Sequence, residues 1–295
     1  MKWKTKFTDL TGCKYPIIMG AFAGLGKPHF AAPVSEAGAL GIITSHNYRT
    51  LKVYEAALEK MEELQKPYGI NFSIRPPVKE GAFLAGFDFD KYLDVALKNK
   101  FEHLVLVSTS AYKGAKYGKR ARENGKIWLH KCATMKHALS ADKDKPDFIV
   151  IVGLEGTGFK NKIQNTTLIN NTMAKRLLQN ASPIAAGGIG DARGFLSCLM
   201  MGASAVCLGT SLMATKECPT SDRFKERMLN QDPFEEEFHK KIFHLTTKDS
   251  PIYSMAIGFL DKNIPTIKEF IEKMISDAEE ILKKIGFQQN EIRFY

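Results

Sequence analysis

The stretch Pro183-Ile-Ala-Ala-Gly-Gly-Ile-Gly-Asp191, taken with Ala205-Val-Cys-Leu-Gly-Thr210, decides how the chain is read. Each half is a short apolar run that ends in glycine and small polar residues. Residues 192–201, between them, have the composition of a helix. The order is strand, loop, helix, strand, loop, and both loops fall at the carboxyl ends of neighbouring strands. Glycine lets backbone N–H groups come close to an oxyanion, and a helix N-terminus adds a favourable dipole. In (β/α)8 barrels the loops after the last two strands often hold a phosphate. The reading is a barrel that grips a phosphorylated ligand at one end.

The rest of the chain repeats that unit. Eight apolar strands are expected, at 15–19, 40–44, 68–72, 103–107, 127–130, 148–152, 183–186 and 205–208. Helical patterns lie between them, for example at 28–37, 51–65, 89–98, 133–141 and 168–179. Such alternation predicts a parallel sheet closed into a (β/α)8 TIM barrel over residues 1–217. From Cys218 the pattern changes. Residues 222–229 and 234–243 read as helices, and 265–285 as a long amphipathic helix. Its apolar stripe is Ile267, Phe270, Ile271, Met274, Ala278, Ile281 and Leu282, which serves packing against the barrel more often than a dimer interface. Residues 218–295 are expected to form a C-terminal helical extension packed on the barrel.

Composition narrows the class. The chain has 295 residues, 44% of them hydrophobic and 25% charged, enough for a large core without metals or disulfides. The five cysteines are odd in number and contain no CxxC, so neither structural zinc nor a disulfide framework is expected. A reducing, cytoplasmic compartment fits that usage, and the N-terminus lacks the apolar core of a signal peptide. Residues 194–215 carry no charge and are long enough to span a bilayer, but Gly202 and Gly209 break them into helix, turn and strand. The net charge is +10, with Lys113, Lys116, Lys119, Arg120, Arg122 and Lys126 clustered against Glu123. A solvated helix face is the plainer reading of the cluster, and a docking surface for an acidic partner or polyanion the sharper one. Nucleic acid fits poorly, because aromatic interleaving is sparse.

Other strand ends carry the remaining chemistry. Gly20-Ala-Phe-Ala-Gly-Leu-Gly-Lys27 has neither Rossmann nor P-loop spacing, yet its small residues allow a flat ligand close to the backbone. Lys131 and Asn71 sit at strand ends and offer a cation and an amide to one barrel mouth. Gly153-Leu-Glu-Gly-Thr-Gly158 is either a loop against a ligand, with Glu155 as its anchor, or a plain turn. His29 and His46 follow the first and second strands where a substrate could meet them, although a lone histidine is more often structural.

These segments together resemble the nitronate monooxygenase family of FMN-containing barrels (2-nitropropane dioxygenase-like). The likeness runs through Tyr15-Pro-Ile-Ile-Met-Gly20, Ser35-Glu-Ala-Gly-Ala-Leu-Gly41, Pro67-Tyr-Gly-Ile-Asn71 and His130-Lys-Cys-Ala-Thr-Met-Lys-His-Ala138. It continues through Gly153-Leu-Glu-Gly-Thr-Gly158, Ala185-Ala-Gly-Gly-Ile-Gly-Asp-Ala-Arg-Gly194 and Leu208-Gly-Thr-Ser-Leu-Met-Ala-Thr-Lys-Glu-Cys-Pro219. Tyr253-Ser-Met-Ala-Ile-Gly-Phe-Leu260 resembles the family's late helix. The resemblance implies FMN at the mouth. Ile18, Met19, Gly20 and Asn71 would lie against the isoalloxazine with Lys131, Thr157 and Gly158, while Ala186, Gly187, Gly188, Gly209 and Thr210 hold the phosphate. Phe159 stands where the family motif has its histidine. Phenylalanine takes no proton, so the catalytic residues are left open, and an anionic nitronate is a better substrate than a neutral nitroalkane.

Three functions follow in order. The first is an FMN-dependent monooxygenase acting on alkyl nitronates with O2. The second is an FMN-dependent enoyl-thioester reductase supplied by NAD(P)H or an acidic carrier such as ferredoxin, and the third a flavin-binding protein without turnover. In each the ligands are small molecules, with a homodimer possible through the C-terminal stripe.

Overall fold

A ring of eight parallel strands organises the computed structural model, which describes residues 1–74, 87–110, 113–158, 161, 163–243 and 252–294. The chain begins outside the ring with β1 (Lys2–Thr5) and α1 (Lys6–Thr11). The ring and its helices follow as β2 (Ile17–Met19), α2 (Pro28–Glu36), β3 (Gly41–Thr44), α3 (Leu51–Glu62), β4 (Tyr68–Ser73), α4 (Phe89–Ala96), β5 (Leu104–Ser110) and α5 (Ala115–Glu123). They continue as β6 (Ile127–Cys132), α6 (Met135–Asp142), β7 (Phe148–Val152), α7 (Thr167–Leu177), β8 (Ser182–Ala186), α8 (Ala192–Met200), β9 (Val206–Leu208) and the single-turn α9 (Thr210–Met213). Hydrogen bonds run β2-β9-β8-β7-β6-β5-β4-β3. Met19 N–H to Leu40 C=O and Leu40 N–H to Ile17 C=O, each 2.9 Å, join the two ends. The fold is the expected (β/α)8 barrel.

Local chemistry explains the boundaries. β7, Phe-Ile-Val-Ile-Val, is buried along its whole length, as a parallel strand covered on both faces must be. Thr50, Asp88, Thr134, Thr166 and Asp191 each accept a first-turn N–H and so start α3, α4, α6, α7 and α8. The uncharged run 194–215 divides into α8, β9 and α9, and no helix among the described residues is long and apolar enough to cross a membrane.

After the ring come α10 (Asp222–Leu229), α11 (Glu236–Phe243), α12 (Ile267–Lys284) and β10 (Glu291–Phe294), which pairs with β1 in a small parallel sheet. That pairing of the two chain ends has no counterpart in the expectations from sequence. Lys-Trp-Lys-Thr alternates over too few residues to stand out, and its partner lies at the far end of the chain. Trp3 packs on Phe195 at 5.2 Å and on Phe294 at 6.2 Å. The α12 stripe packs toward α8 and α2, burying Ile267, Ile271, Met274, Ile275, Ala278 and Leu282 and leaving Phe270 and Ile281 half-buried. The late helix expected at 253–260 is instead one 3-10 turn, Met255–Phe259.

The basic cluster is largely neutralised. Lys116 pairs with Asp90, Lys119 with Asp144, Arg122 with Asp147, and Arg120 with both Asp90 and Asp94. Lys126 donates to the Phe101 carbonyl. The solvated-face reading fits this geometry, because acids on neighbouring elements take up the charge.

Asp142 ties α6 to the start of β8. Its carboxylate accepts from the backbone N–H groups of Gln179, Asn180 and Ala181 and from the Asn180 side chain. Burial opposes its charge, but those donors outweigh burial and hold its pKa below the ordinary value. A group whose folded pKa is depressed stabilises above its unfolded pKa, and the stabilisation is lost as pH falls through the folded value. Asp142→Ala should therefore cost about 2–3 kcal/mol at neutral pH. Chemical denaturation below pH 4 should show the wild type losing its advantage over the variant.

Candidate active site at the barrel mouth

Strand register sets which side chains share the inner face. Ile18 pairs with Cys207, Cys207 with Ala186, and Ala186 with Val152. Lys131 follows on β6, with Ser110 and Ser73 beyond it. These residues form the inner layer at the carboxyl ends of the strands, and alternation turns Met19 to the opposite face.

A cavity of about 220 Å³ opens above this layer. It brings together Gly20, Lys131, Thr157, Gly158, Ala186, Gly187, Gly188, Gly209 and Thr210, from five strand ends far apart in sequence. Ile18 and Met19 are buried in the core beside it and do not line it. Asn71 lies deeper, fully buried, where its amide donates to Ser73 Oγ (3.1 Å) and its oxygen accepts from Ser108 Oγ (3.2 Å). His29 is exposed on α2 and His46 is buried in the turn after β3, and neither lines the cavity. Phe159 lies outside the described residues.

The polar interior of the mouth is a set of unused donors. The backbone N–H groups of Gly187, Gly188, Gly209 and Thr210 donate to no described residue. Thr210 Oγ1 accepts from Ser254 N–H at 2.9 Å, which leaves its own proton free to donate. The α8 N-terminus does not add to them, because Asp191 already accepts from Arg193 and Gly194. The dipole argument from sequence assigns that helix end a share of the anion; Asp191 as N-cap takes the place an anion would have.

A second knot holds the donors in position. Thr167 Oγ1 lies 2.9 Å from Glu155 Oε2 and within 3.2 Å of the Ala186 and Gly187 carbonyls, and Thr167 N–H donates to the same carboxylate at 2.8 Å. Glu155 also accepts Met255 N–H on its backbone carbonyl at 3.0 Å. Glu155 is thus an anchor, one of the two roles expected for its loop, but it anchors loops to one another. Gly187 and Gly188 sit at φ +112° and +70°, the left-handed side where glycine is favoured.

The apolar wall of Phe22, Leu25, Met213 and Ile252, and the Ser254 and Ala256 floor, are additions from the structure. Phe22, Leu25, Met213, Ser254 and Ala256 lie in segments already quoted from the sequence without being singled out there, and Ile252 lies outside them. Cys207 also faces the cavity, with its thiol pKa raised by burial against the opposing charge of Lys131. Among the described lining residues Lys131 is the one ionised side chain, and it has no ion-pair partner among the described residues.

Two glycines separate fold from ligand. A Cβ at Gly187 would sit 3.1 Å from the Gly153 and Gly156 nitrogens, whereas one at Gly209 meets nothing within 4 Å. Gly187→Ala should lower stability by about 2 kcal/mol or more, and Gly209→Ala by less than about 1. Calorimetric titration with inorganic phosphate should weaken in both, and unchanged phosphate binding in Gly209→Ala would remove that loop from the cradle.

Comparison with known proteins places this geometry. The family model described as nitronate monooxygenase matches residues 4–243. A carboxyl-CoA dehydrogenase of the indene class from Mycobacterium tuberculosis H37Rv is 25% identical over 78% of this chain and 61% of its own. The chain thus spans about three fifths of that relative's length. A nitronate monooxygenase from Pseudomonas aeruginosa PAO1 is 28% identical over 76% of this chain and 73% of its own. Among solved structures, FabK from Thermotoga maritima superposes with a TM-score of 0.76 at 24% identity, covering 96% of this chain and 98% of that one, a likeness of fold. By the family match, which takes in the whole ring of strands, the chain belongs to the nitronate monooxygenase family, a family of oxidoreductases.

Proposed function

We propose that the mouth cavity binds FMN and that the protein oxidises alkyl nitronates with O2. The observation that carries the reading is the charge pattern of the site. Four unspent backbone N–H groups and a lysine without a counter-ion among the described residues meet in one cavity, which suits a phosphate and an anionic substrate together. The cradle passes a test of fit, since Gly209 leaves open space where a side chain would project and Gly187 and Gly188 keep the backbone bare. Gly187, Gly188, Gly209 and Thr210 would hold the phosphate, with Ala186 below them. Gly20, Thr157, Gly158 and Lys131 would flank the ring, and Ile18, Met19 and Asn71 would support it from the strands beneath. FMN supplies the electron-accepting chemistry when bound, and the chain decides what reaches it.

Lys131 has a second task in this reading. Its ammonium attracts the nitronate oxygens, while Phe22, Leu25, Met213 and Ile252 shed water around the alkyl carbon. Among the described lining residues there is no carboxylate or imidazole to take a proton from a neutral nitroalkane, which favours the preformed anion.

A second reading is an FMN-dependent reductase of enoyl-thioesters supplied by NAD(P)H or an acidic carrier. The likeness to the carboxyl-CoA dehydrogenase supports it, because that relative's name carries a CoA thioester. The third reading is flavin binding without turnover, in which neither nitronate nor NAD(P)H bleaches the flavin. A homodimer and a cytoplasmic setting fit all three readings.

An anaerobic absorbance scan of the FMN-loaded protein decides among them. Bleaching of the flavin band by propyl-2-nitronate is the expected result, and bleaching by NAD(P)H but not by nitronate would move the assignment to the reductase. Lys131→Ala should lower kcat/KM for nitronate by about 10²-fold and weaken FMN retention on gel filtration. Phe159→His should raise turnover of neutral nitroalkanes, and no rise would mean that a missing base is not what limits the chain.

A further inference from the structure

A larger cavity of about 560 Å³ adjoins the first, with Lys131 and Val152 in the walls of both. It lies over β6 between α5 and α6. Alternation along β6 accounts for it: Lys131 turns into the barrel, while His130 and Trp128 turn toward the helices. Beyond Trp128 the Lys119–Asp144 ion pair, 2.6 Å, ties α5 to the turn after α6, and Asp144 borders the cavity there.

The protonation of His130 follows from its neighbours. Thr109 Oγ1 accepts from Trp128 Nε1–H at 2.9 Å and lies 2.8 Å from His130 Nδ1. The competing acceptor, the Leu129 carbonyl, is 3.5 Å away. Thr109 has one proton to give, and the shorter contact receives it. On that assignment Nδ1 is the acceptor, and the ring carries its hydrogen on Nε2. Burial keeps the ring neutral by lowering its pKa to about 4. The side chain is only 9% exposed, yet Nε2–H donates to no described residue. Nε2 is open to the cavity, which has room for an acceptor beside it.

We propose that this lateral cavity binds the non-reacting arm of the substrate, an apolar chain whose carbonyl oxygen accepts from His130 Nε2–H. The faces of Trp128, Ala133 and Ala141 suit methylene groups, and a fixed N–H donor selects an oxygen acceptor over a cation. A short nitronate leaves this space empty, so the physiological substrate is an extended molecule with its reactive end at Lys131. The inference rests on the mouth cavity being the reaction site.

Trp128 reports on the cavity without any turnover. It is one of two tryptophans, and Trp3 is held away from the mouth between Phe195 and Phe294. Tryptophan emission of the FMN-loaded protein is followed during titration with N-hexylacetamide, and with hexyltrimethylammonium, which has the chain but no acceptor. A saturable change with the amide and none with the ammonium is expected. His130→Phe should weaken the amide by about tenfold, and His130→Gln, which keeps an N–H donor, by less than about threefold. Ala141→Phe, which fills the space, should abolish saturation. No saturable change with the amide, or equal affinity in a His130→Phe protein of unchanged circular dichroism, overturns the proposal. Bleaching by nitronate without a Trp128 response removes the arm and keeps the proposed function. A Trp128 response in a protein that no nitronate bleaches keeps the arm and removes that function.

Discussion

Everything at the mouth depends on backbone N–H groups that stay unpaired. A parallel barrel spends nearly all its amides on neighbouring strands, and a buried amide without an acceptor is costly. Here the Gly187–Gly188 and Gly209–Thr210 loops leave strands whose ladders end at Ala186 and Leu208. The chain keeps those amides aimed at one cavity by building a separate knot behind them. Thr167, held by the Glu155 carboxylate, occupies the carbonyl side of the loop, so that its N–H side faces the opening. If either partner of that knot were lost, the loop would have no reason to keep its donors exposed.

Most of the ring was legible because its signal is local. Strand β7 and helix α10 fall where the apolar runs place them, and the other strands differ by one to three residues at their ends. Strand ends are harder, because the last residues of β5 and β6 are polar. Ser108-Thr-Ser110 on β5 and Lys131-Cys132 on β6 continue the ladder past the expected ends. The β1–β10 pairing was illegible for a different reason: its stabilisation comes from a contact between the chain ends, and neither four-residue strand announces its partner.

Site residues were legible where glycine or charge marks a loop, and not where a smooth apolar surface does the work. Gly187, Gly188, Gly209 and Lys131 stand out in any reading of the chain. Met213, Ile252 and Ala256 look like core residues, and the fold alone brings them to the cavity. Met19 is a different case, since its side chain turns to the opposite face and only its backbone is near the mouth. A run of adjacent residues at a strand end cannot all face one ligand with their side chains, because consecutive residues alternate.

That alternation also explains how one strand serves two spaces. On β6 a charged residue and an aromatic heterocycle are adjacent in sequence and face opposite sides of the barrel wall. Lys131 faces a cavity lined by unspent backbone donors, and its cation has no ion-pair partner among the described residues. His130 faces a drier space where a charge would be expensive, and its burial keeps it neutral. Exchanging the two would strand a lysine against Trp128 and Thr109 and put a neutral ring among the unspent donors. The order His130-Lys131 is therefore constrained from both faces at once. The surplus charge of +10 imposes no comparable constraint, since the cluster on α5 is matched by acids on adjacent elements. Binding selectivity here rests on where single charges are left unmatched, and the net charge of the chain does not report it.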